Sequence, residues 1–247
     1  MASDVLRVCA LYPDLMNIYA DRGNLLLLQQ RCAWRGIGFA LSGVGLGEGL
    51  DPDAHDFFYL GGGQDRDQAL CAKDLVATKR EALHAAADRG AVVFGVCGGY
   101  QLLGHGYALG AERLPGIGLV DLETVREDGP RLIGNVAIEL DLGSGARLLA
   151  GFENHGGRTR LGPAARPLGR VLRGHGNDGR SGQEGVRGGA RDTVVGTYLH
   201  GPLLPKNAWF ADWLTATALG LAPDGLEPLD DALEDAAHEA ARHAAGV

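Results

Sequence analysis

The stretch AVVFGVCGGYQLLG, residues 91–104, sets one thiol between a short apolar run and two glycines. An apolar run of that length, closed by glycines, reads as a buried strand that turns sharply into a helix. Such a turn lifts its central residue above the carboxyl edge of the sheet, where open α/β sheets bind ligands, and the small neighbours Gly95, Gly98 and Gly99 permit the strained backbone. The first amides of the following helix face Cys97 and favour its thiolate, the nucleophilic form. The N–H of Gly98 is then positioned to stabilise an oxyanion. Cys9, Cys32 and Cys71 lack this setting and read as packing residues.

A cysteine nucleophile needs a base. Of the eight histidines, His200 closes the apolar run of DTVVGTYLHG and so belongs at the carboxyl edge of a buried strand. His84, His238 and His243 fall in helical patterns and read as surface residues, while His155, in GFENHGGRT, competes with His200 for the role. Glycines 61 to 63, after FFYL, offer further backbone donors for an oxyanion, Gly63 among them; a plain turn is equally compatible. No GxGxxG or GxxxxGK[ST] is present, so a nucleotide phosphate loop is not supported.

Periodicity supplies the elements that must position these residues. Residues 4–13 read as a first strand, 24–36 as a helix capped by Asn24 and stopped by Gly36, 55–60 as an aromatic strand, 71–90 as an amphipathic helix and 91–96 as the buried strand before Cys97. That alternation is the βαβ pattern of a parallel sheet. After Leu114 the texture changes to alternating strands, GIGLVDLETV and RLIGNVAIELDL, typical of antiparallel pairs. Residues 192–201 form another apolar strand and 207–220 a helix capped by Asn207. One domain is expected over 1–222, with 223–247 a peripheral helix or frayed tail.

Composition narrows the class further. The 247 residues carry 23 Lys and Arg against 31 Asp and Glu, a net charge of −8, which argues against nucleic acid. The arginines between 158 and 191 alternate with glycine and read as a solvated loop or small hairpins. The start of the chain has no basic segment and no apolar core, so no signal peptide is expected, and no apolar run of about 18 residues suggests a membrane span. Four cysteines without CxxC spacing imply neither zinc nor a disulfide framework, consistent with a reducing cytoplasm.

GVCGGYQ after an apolar strand, LGGGQD upstream and TYLHGP downstream resemble the class I glutamine amidotransferases. The resemblance implies a flavodoxin-like α/β three-layer sandwich, a mainly parallel central sheet with helices on both faces. It implies attack of Cys97 on the glutamine side-chain amide, a γ-glutamyl thioester, release of ammonia and hydrolysis, with His200 as base and Gly63 and Gly98 as the oxyanion hole. It also implies that Arg131, in GPRLIGNV, holds the substrate carboxylate in its guanidinium fork and that Gln101 contacts substrate. Most class I members carry His-x-Glu; here Pro202 stands at the acid's place, as in the cobyric-acid-synthase-like branch. Within that branch, LYPDLMNIYADRGN and GFENHGGRT resemble glutaminase subunits of cell-wall synthesis. The implied partner is a Mur-ligase-like synthetase subunit (MurT) that uses ATP and Mg to activate the D-glutamate α-carboxyl of lipid II, with no cofactor in this chain. The acid orienting His200 would then come from the partner. The polar cluster Asp14, Asn17, Asp21, Arg22 and Asn24 is expected near the active site or that partner. A glutaminase for another acceptor such as a corrinoid, a different cysteine hydrolase, and a non-catalytic scaffold remain as other readings.

Overall fold

A computed structural model describes residues 5–18 and 22–247. Its first half runs β1 (Val5–Leu11), α1 (Arg22–Trp34), β2 (Gly38–Val44), β3 (Phe57–Leu60), α2 (Asp65–Asp74), a π-helical turn (Leu75–Lys79), α3 (Arg80–Arg89), β4 (Val92–Val96) and α4 (Gly98–Leu103). Ten strands come next: β5 (Gly106–Leu109), β6 (Glu112–Pro115), β7 (Leu122–Arg126), β8 (Leu132–Asp141), β9 (Ala146–His155), β10 (Gly157–Leu161), β11 (Gly169–Arg173), β12 (Gln183–Glu184), β13 (Val186–Gly188) and β14 (Val194–Thr197). Helices α5 (Ala208–Ala218) and α6 (Ala232–Ala245) close the chain.

The main sheet has the order β13-β14-β4-β3-β1-β2, parallel throughout except that β13 runs against β14. Strands β3, β4 and β14 are buried along their whole length, which is why their sequences are mostly apolar. From β1 the chain moves outward to β2, and from β3 it moves the other way to β4. Right-handed crossovers therefore put α1 on one face and α2–α3 on the opposite one. The reversal between β1 and β3 is a topological switch point, and the loops at its carboxyl edge form the natural ligand crevice. The expected three-layer α/β architecture is present.

Two four-stranded sheets, β10-β7-β5-β6 and β12-β11-β8-β9, are built from the second half. The alternating segments pair largely as expected: β8 and β9 form an antiparallel hairpin, and β7 pairs antiparallel with β10 but parallel with β5. Of the two readings of the glycine–arginine region, the small hairpins hold: β11 pairs antiparallel with β12, and β13 with β14.

One strand is missed and two local expectations need correction. Strand β2 is the edge strand beside β1, with residues 40–43 exposed, and its short apolar stretch Phe39-Ala40-Leu41 lies between glycines. Asn24 does not cap α1, which begins at Arg22; its buried amide donates to the Tyr59 hydroxyl at 2.9 Å and accepts from the Leu204 N–H at 2.8 Å. The helix expected over 71–90 begins at Asp65 and contains the π turn. That turn brings Lys79 inward. Its ammonium donates to Asp74 at 2.5 Å and lies 4.9 Å from the Tyr12 ring, whose hydroxyl donates to the same carboxylate at 2.7 Å.

Helix α1 is tied to the C-terminal part of the chain through Arg31, a buried guanidinium held by Asp212 on α5 and by Asp231 just before α6. Phe94 at the sheet centre meets Phe57 and Phe210 edge-on at 6.4 and 6.1 Å.

Gly99 packs so closely on β3 that a Cβ there would collide with the Leu60 and Gly61 carbonyls. Gly99→Ala is expected to cost about 3 kcal/mol or more in urea unfolding, at or beyond the usual range for overpacking because backbone must move. Gly49→Ala, where no atom lies within reach and φ is ordinary, is expected to stay within about 0.5 kcal/mol of wild type.

Candidate active site

The carboxyl ends of β3, β4 and β14 lie side by side, and the segments leaving those three ends build the site. Past β4 the chain enters the left-handed region at Cys97, with φ 51° and ψ −107°, before α4 begins at Gly98. A non-glycine residue at that φ is strained, and the surrounding bonds hold it there. The Cys97 N–H donates to the Thr197 carbonyl at 2.8 Å, the Gly99 N–H to the Gly61 carbonyl at 3.0 Å, and the Gly98 carbonyl accepts from Gln68 at 3.2 Å. The Gly63 nitrogen lies 3.2 Å from where a Gly98 Cβ would stand, so the turn after β3 packs directly on the first residue of α4.

Cys97 opens into a small cleft with Gly63, Gly98, Gln101 and Arg131, so five of the six site residues expected from sequence share one cavity. Asp65, Gln68, Tyr107, His155 and Gly156 complete its walls. Arg131 stands just before β8, where register sets Leu132 opposite His155. Its Nε and Nη2 donate to the side chain and carbonyl of Asn154, both at 2.7 Å, which fixes the guanidinium plane. Nη1 has no hydrogen bond with the described residues. Gln101 is a strut: Oε1 accepts from Gln68 at 2.8 Å and Nε2 donates to the Tyr198 hydroxyl at 3.1 Å. One N–H and one lone pair of its amide remain.

His200 does not line that cavity. It lies three residues beyond β14 and is buried, its backbone exchanging two hydrogen bonds with Phe152 and its ring set edge-on to the Phe152 ring at 5.9 Å. Burial lowers its pKa to about 4, and the nearby His155, Lys206 and Arg131 act in the same direction. The imidazole is therefore neutral at pH 7, the form a base requires. His155, the competing histidine, lies in the cleft wall and is also buried. Its ring stacks on Tyr198 at 3.5 Å, Nδ1 bonds the Gly157 carbonyl at 2.8 Å, and Nε2 lies 3.7 Å from the Glu153 carboxylate. The carbonyl can only accept, so Nδ1 carries a hydrogen and donates it.

Behind the cleft, the Tyr198 hydroxyl bonds Thr159 at 2.6 Å as well as Gln101. Buried Glu184 accepts from the Thr197 hydroxyl and the Tyr198 N–H, both at 2.7 Å, and burial pushes its carboxyl up to about 7. These bonds brace the segment linking β14 to His200. The other cysteines are packed, with burial pushing Cys9 and Cys71 up to about 12 and Cys32 to about 11.

The N-terminal polar cluster divides. The loop after β1 supports the glycine turn: the Ile18 N–H donates to the Gly62 carbonyl at 3.1 Å, and Met16 packs on Gly63. Asp14, Asn17 and Arg22 line a separate groove between α1 and β2, Asn24 is buried against the short 3₁₀ turn at Leu204, and Asp21 lies outside the described residues. Sequence reasoning missed Asp65, Gln68, Tyr107 and Tyr198; the first two sit on the opening turn of a helix read as starting later. Among the described residues no group of three or more His, Cys, Asp or Glu could hold a metal, and no helix is long and apolar enough to cross a membrane.

Residues 7–208 match the CobB/CobQ-like glutamine amidotransferase domain, and the chain belongs to that family. It is 37% identical over 215 residues to the lipid II isoglutaminyl synthase (glutamine-hydrolyzing) subunit GatD of Streptococcus pneumoniae, a match covering 87% of this chain and 80% of the relative. It is 40% identical over 207 residues to the GatD subunit of Staphylococcus aureus, covering 83% and 81%. Cobyric acid synthase of Xanthobacter autotrophicus is 39% identical over 160 residues, 61% of this chain but only 30% of that protein. Among solved structures, PurLQS from Thermotoga maritima shares the fold, with a TM-score of 0.59 and 19% identity over 89% of this chain and 96% of that one.

The low pKa of His200 has a stability signature. The unfolded histidine takes a proton near pH 6.5 and the folded one near 4, so this contribution is complete above 6.5 and is lost as pH falls between those values. Urea unfolding at pH 7 and pH 4.5 is expected to show His200→Gln losing less stability on acidification than wild type, by on the order of 2–3 kcal/mol.

Proposed function

We propose that this chain is the glutaminase subunit of a two-protein enzyme that amidates the D-glutamate α-carboxyl of lipid II to D-isoglutamine. What carries this reading is the extent of the GatD similarity, four-fifths of each relative and more than four-fifths of this chain. The cobyric acid synthase similarity stops at under a third of that protein.

In the proposed mechanism Arg131 receives the α-carboxylate of L-glutamine on its free Nη1 edge, and the side-chain amide reaches Cys97. The thiolate adds to the amide carbon while the carbonyl oxygen takes up negative charge against the N–H groups of Gly63 and Gly98. His200, holding the thiol proton, passes it to the departing nitrogen. The C–N bond breaks, ammonia leaves and a γ-glutamyl thioester remains. His200 then takes a proton from water as it attacks the thioester, and glutamate and the free thiol are regenerated.

The ammonia acceptor is made on a Mur-ligase-like partner, which binds ATP and Mg and activates the carboxyl. This chain supplies no cofactor. Pro202 replaces the acid that most class I members carry two residues beyond the histidine, so the partner is proposed to supply the orienting carboxylate and to tie hydrolysis to assembly.

Ammonia release from L-glutamine is the test, measured on the chain alone and with a Mur-ligase-like subunit. Release that is abolished by Cys97→Ala and rises at least tenfold with the partner supports the proposal. No release in either state from a folded chain sinks it. Equal rates with and without the partner sink the acid supplied in trans. Arg131→Lys is expected to raise KM for glutamine roughly tenfold or more with a smaller change in kcat, because an ammonium loses the fork geometry.

A further inference from the structure

The cleft that holds Cys97 has Arg131 and Asp65 in its walls, one cationic and one anionic side chain. They come from different parts of the fold. Arg131 precedes β8 and is braced by Asn154, whereas Asp65 opens α2, two residues beyond Gly63. Asp65 has no hydrogen bond or ion pair with the described residues, so its carboxylate is not spent on the protein. Both charges are felt at a third residue of the same wall, Tyr107. The phenol of Tyr107 is raised above its ordinary pKa by burial first and by the negative charge of Asp65, against the lowering effect of Arg126 and Arg131.

A free amino acid is a zwitterion, and a cleft that selects one must meet an anion and a cation on adjacent atoms. Arg131 meets the anion. The structure assigns the other half: we propose that Asp65 binds the α-ammonium of L-glutamine and is the residue by which the site distinguishes the free amino acid from an amide lacking that group. The inference rests on the glutaminase reading and deepens it.

The remaining candidates for the ammonium are less suited. The Glu153 carboxylate lies behind His155 and is already occupied by the His175 and Gly176 amides at 2.6 and 2.9 Å. The Gln101 amide is held at both ends. Gln68 directs its Nε2 at Gly98 and Gln101 and offers no charge. Asp65 alone among the cleft residues supplies a full negative charge with its acceptor sites open. Its place beside Gly63 also has a steric consequence. A ligand gripped there and at Arg131 is held at its α-carbon end, which leaves the carboxamide end for the thiol and the glycine amides.

Asp65 would thus act on binding and selection, and its substitution has a signature that mere loosening of the cleft would not produce. Kinetics with L-glutamine and with glutaramate, the same molecule without its α-amino group, separate the two, using the chain together with its synthetase subunit. Wild type is expected to prefer L-glutamine in kcat/KM. Asp65→Asn is expected to lower kcat/KM for L-glutamine roughly ten- to a hundredfold, mainly through KM, and to leave glutaramate within about twofold, so that the preference collapses. Asp65→Glu should recover part of it. Equal losses on both substrates, or an unchanged preference, would overturn the assignment while leaving the glutaminase intact. Where neither substrate is hydrolysed by wild type, the glutaminase reading and this inference fall together.

Discussion

The bond from the Cys97 N–H to the Thr197 carbonyl fixes the geometry on which the site depends. It continues the β4–β14 ladder one residue past the last regular pair, Val96 with Thr197, at the point where the Cys97 backbone turns left-handed. Because β14 is held there, the chain that leaves it toward His200 starts from the same edge as the thiol. Because β3 is paired on the other side of β4, the glycine turn after Leu60 starts from that edge too. Three segments far apart in sequence are thus aligned by one parallel register, and the strained thiol residue is over-determined by its neighbours.

The second constraint is dryness. His200 is buried between Phe152 and positively charged neighbours, so the imidazole stays neutral without any help from pH. The protein meets the cost of such burial with a continuous set of side-chain bonds running from Gln68 through Gln101 and Tyr198 to Thr159 and Thr124, so that the polar atoms behind the cleft support one another.

What can be read in the sequence is local. Cys97 and its glycines announce themselves because a buried strand, a tight turn and a helix start are each written in consecutive residues. His200 is legible for a similar reason, though it sits beyond β14 on an irregular segment tied to Phe152. Arg131 emerges only from family resemblance, since nothing near it in sequence marks the bond to Asn154. The misses are tertiary. Asn24 looks like a cap beside a leucine run, but its amide is used by Tyr59 and Leu204, 35 and 180 residues away. Strand β2 forms because β1 offers it an edge, not because its own pattern demands burial. Asp65 and Gln68 are hidden when the helix is read as starting at 71, six residues late.

The π turn between α2 and α3 bears on how the chain can vary in length. With i to i+5 bonding it holds one residue more than an α-helical path would, and that surplus lets Asp74 and Lys79 both point inward to Tyr12. Removing a residue there would restore the regular helix and rotate everything after it by about 100°. Leu83, Ala86 and Ala87 would leave the face they now bury, and Lys79 would lose its carboxylate. Insertions and deletions among descendants of this sequence are therefore disfavoured at 75–79 and better borne at an open turn such as that around Gly110, where a Cβ would meet nothing.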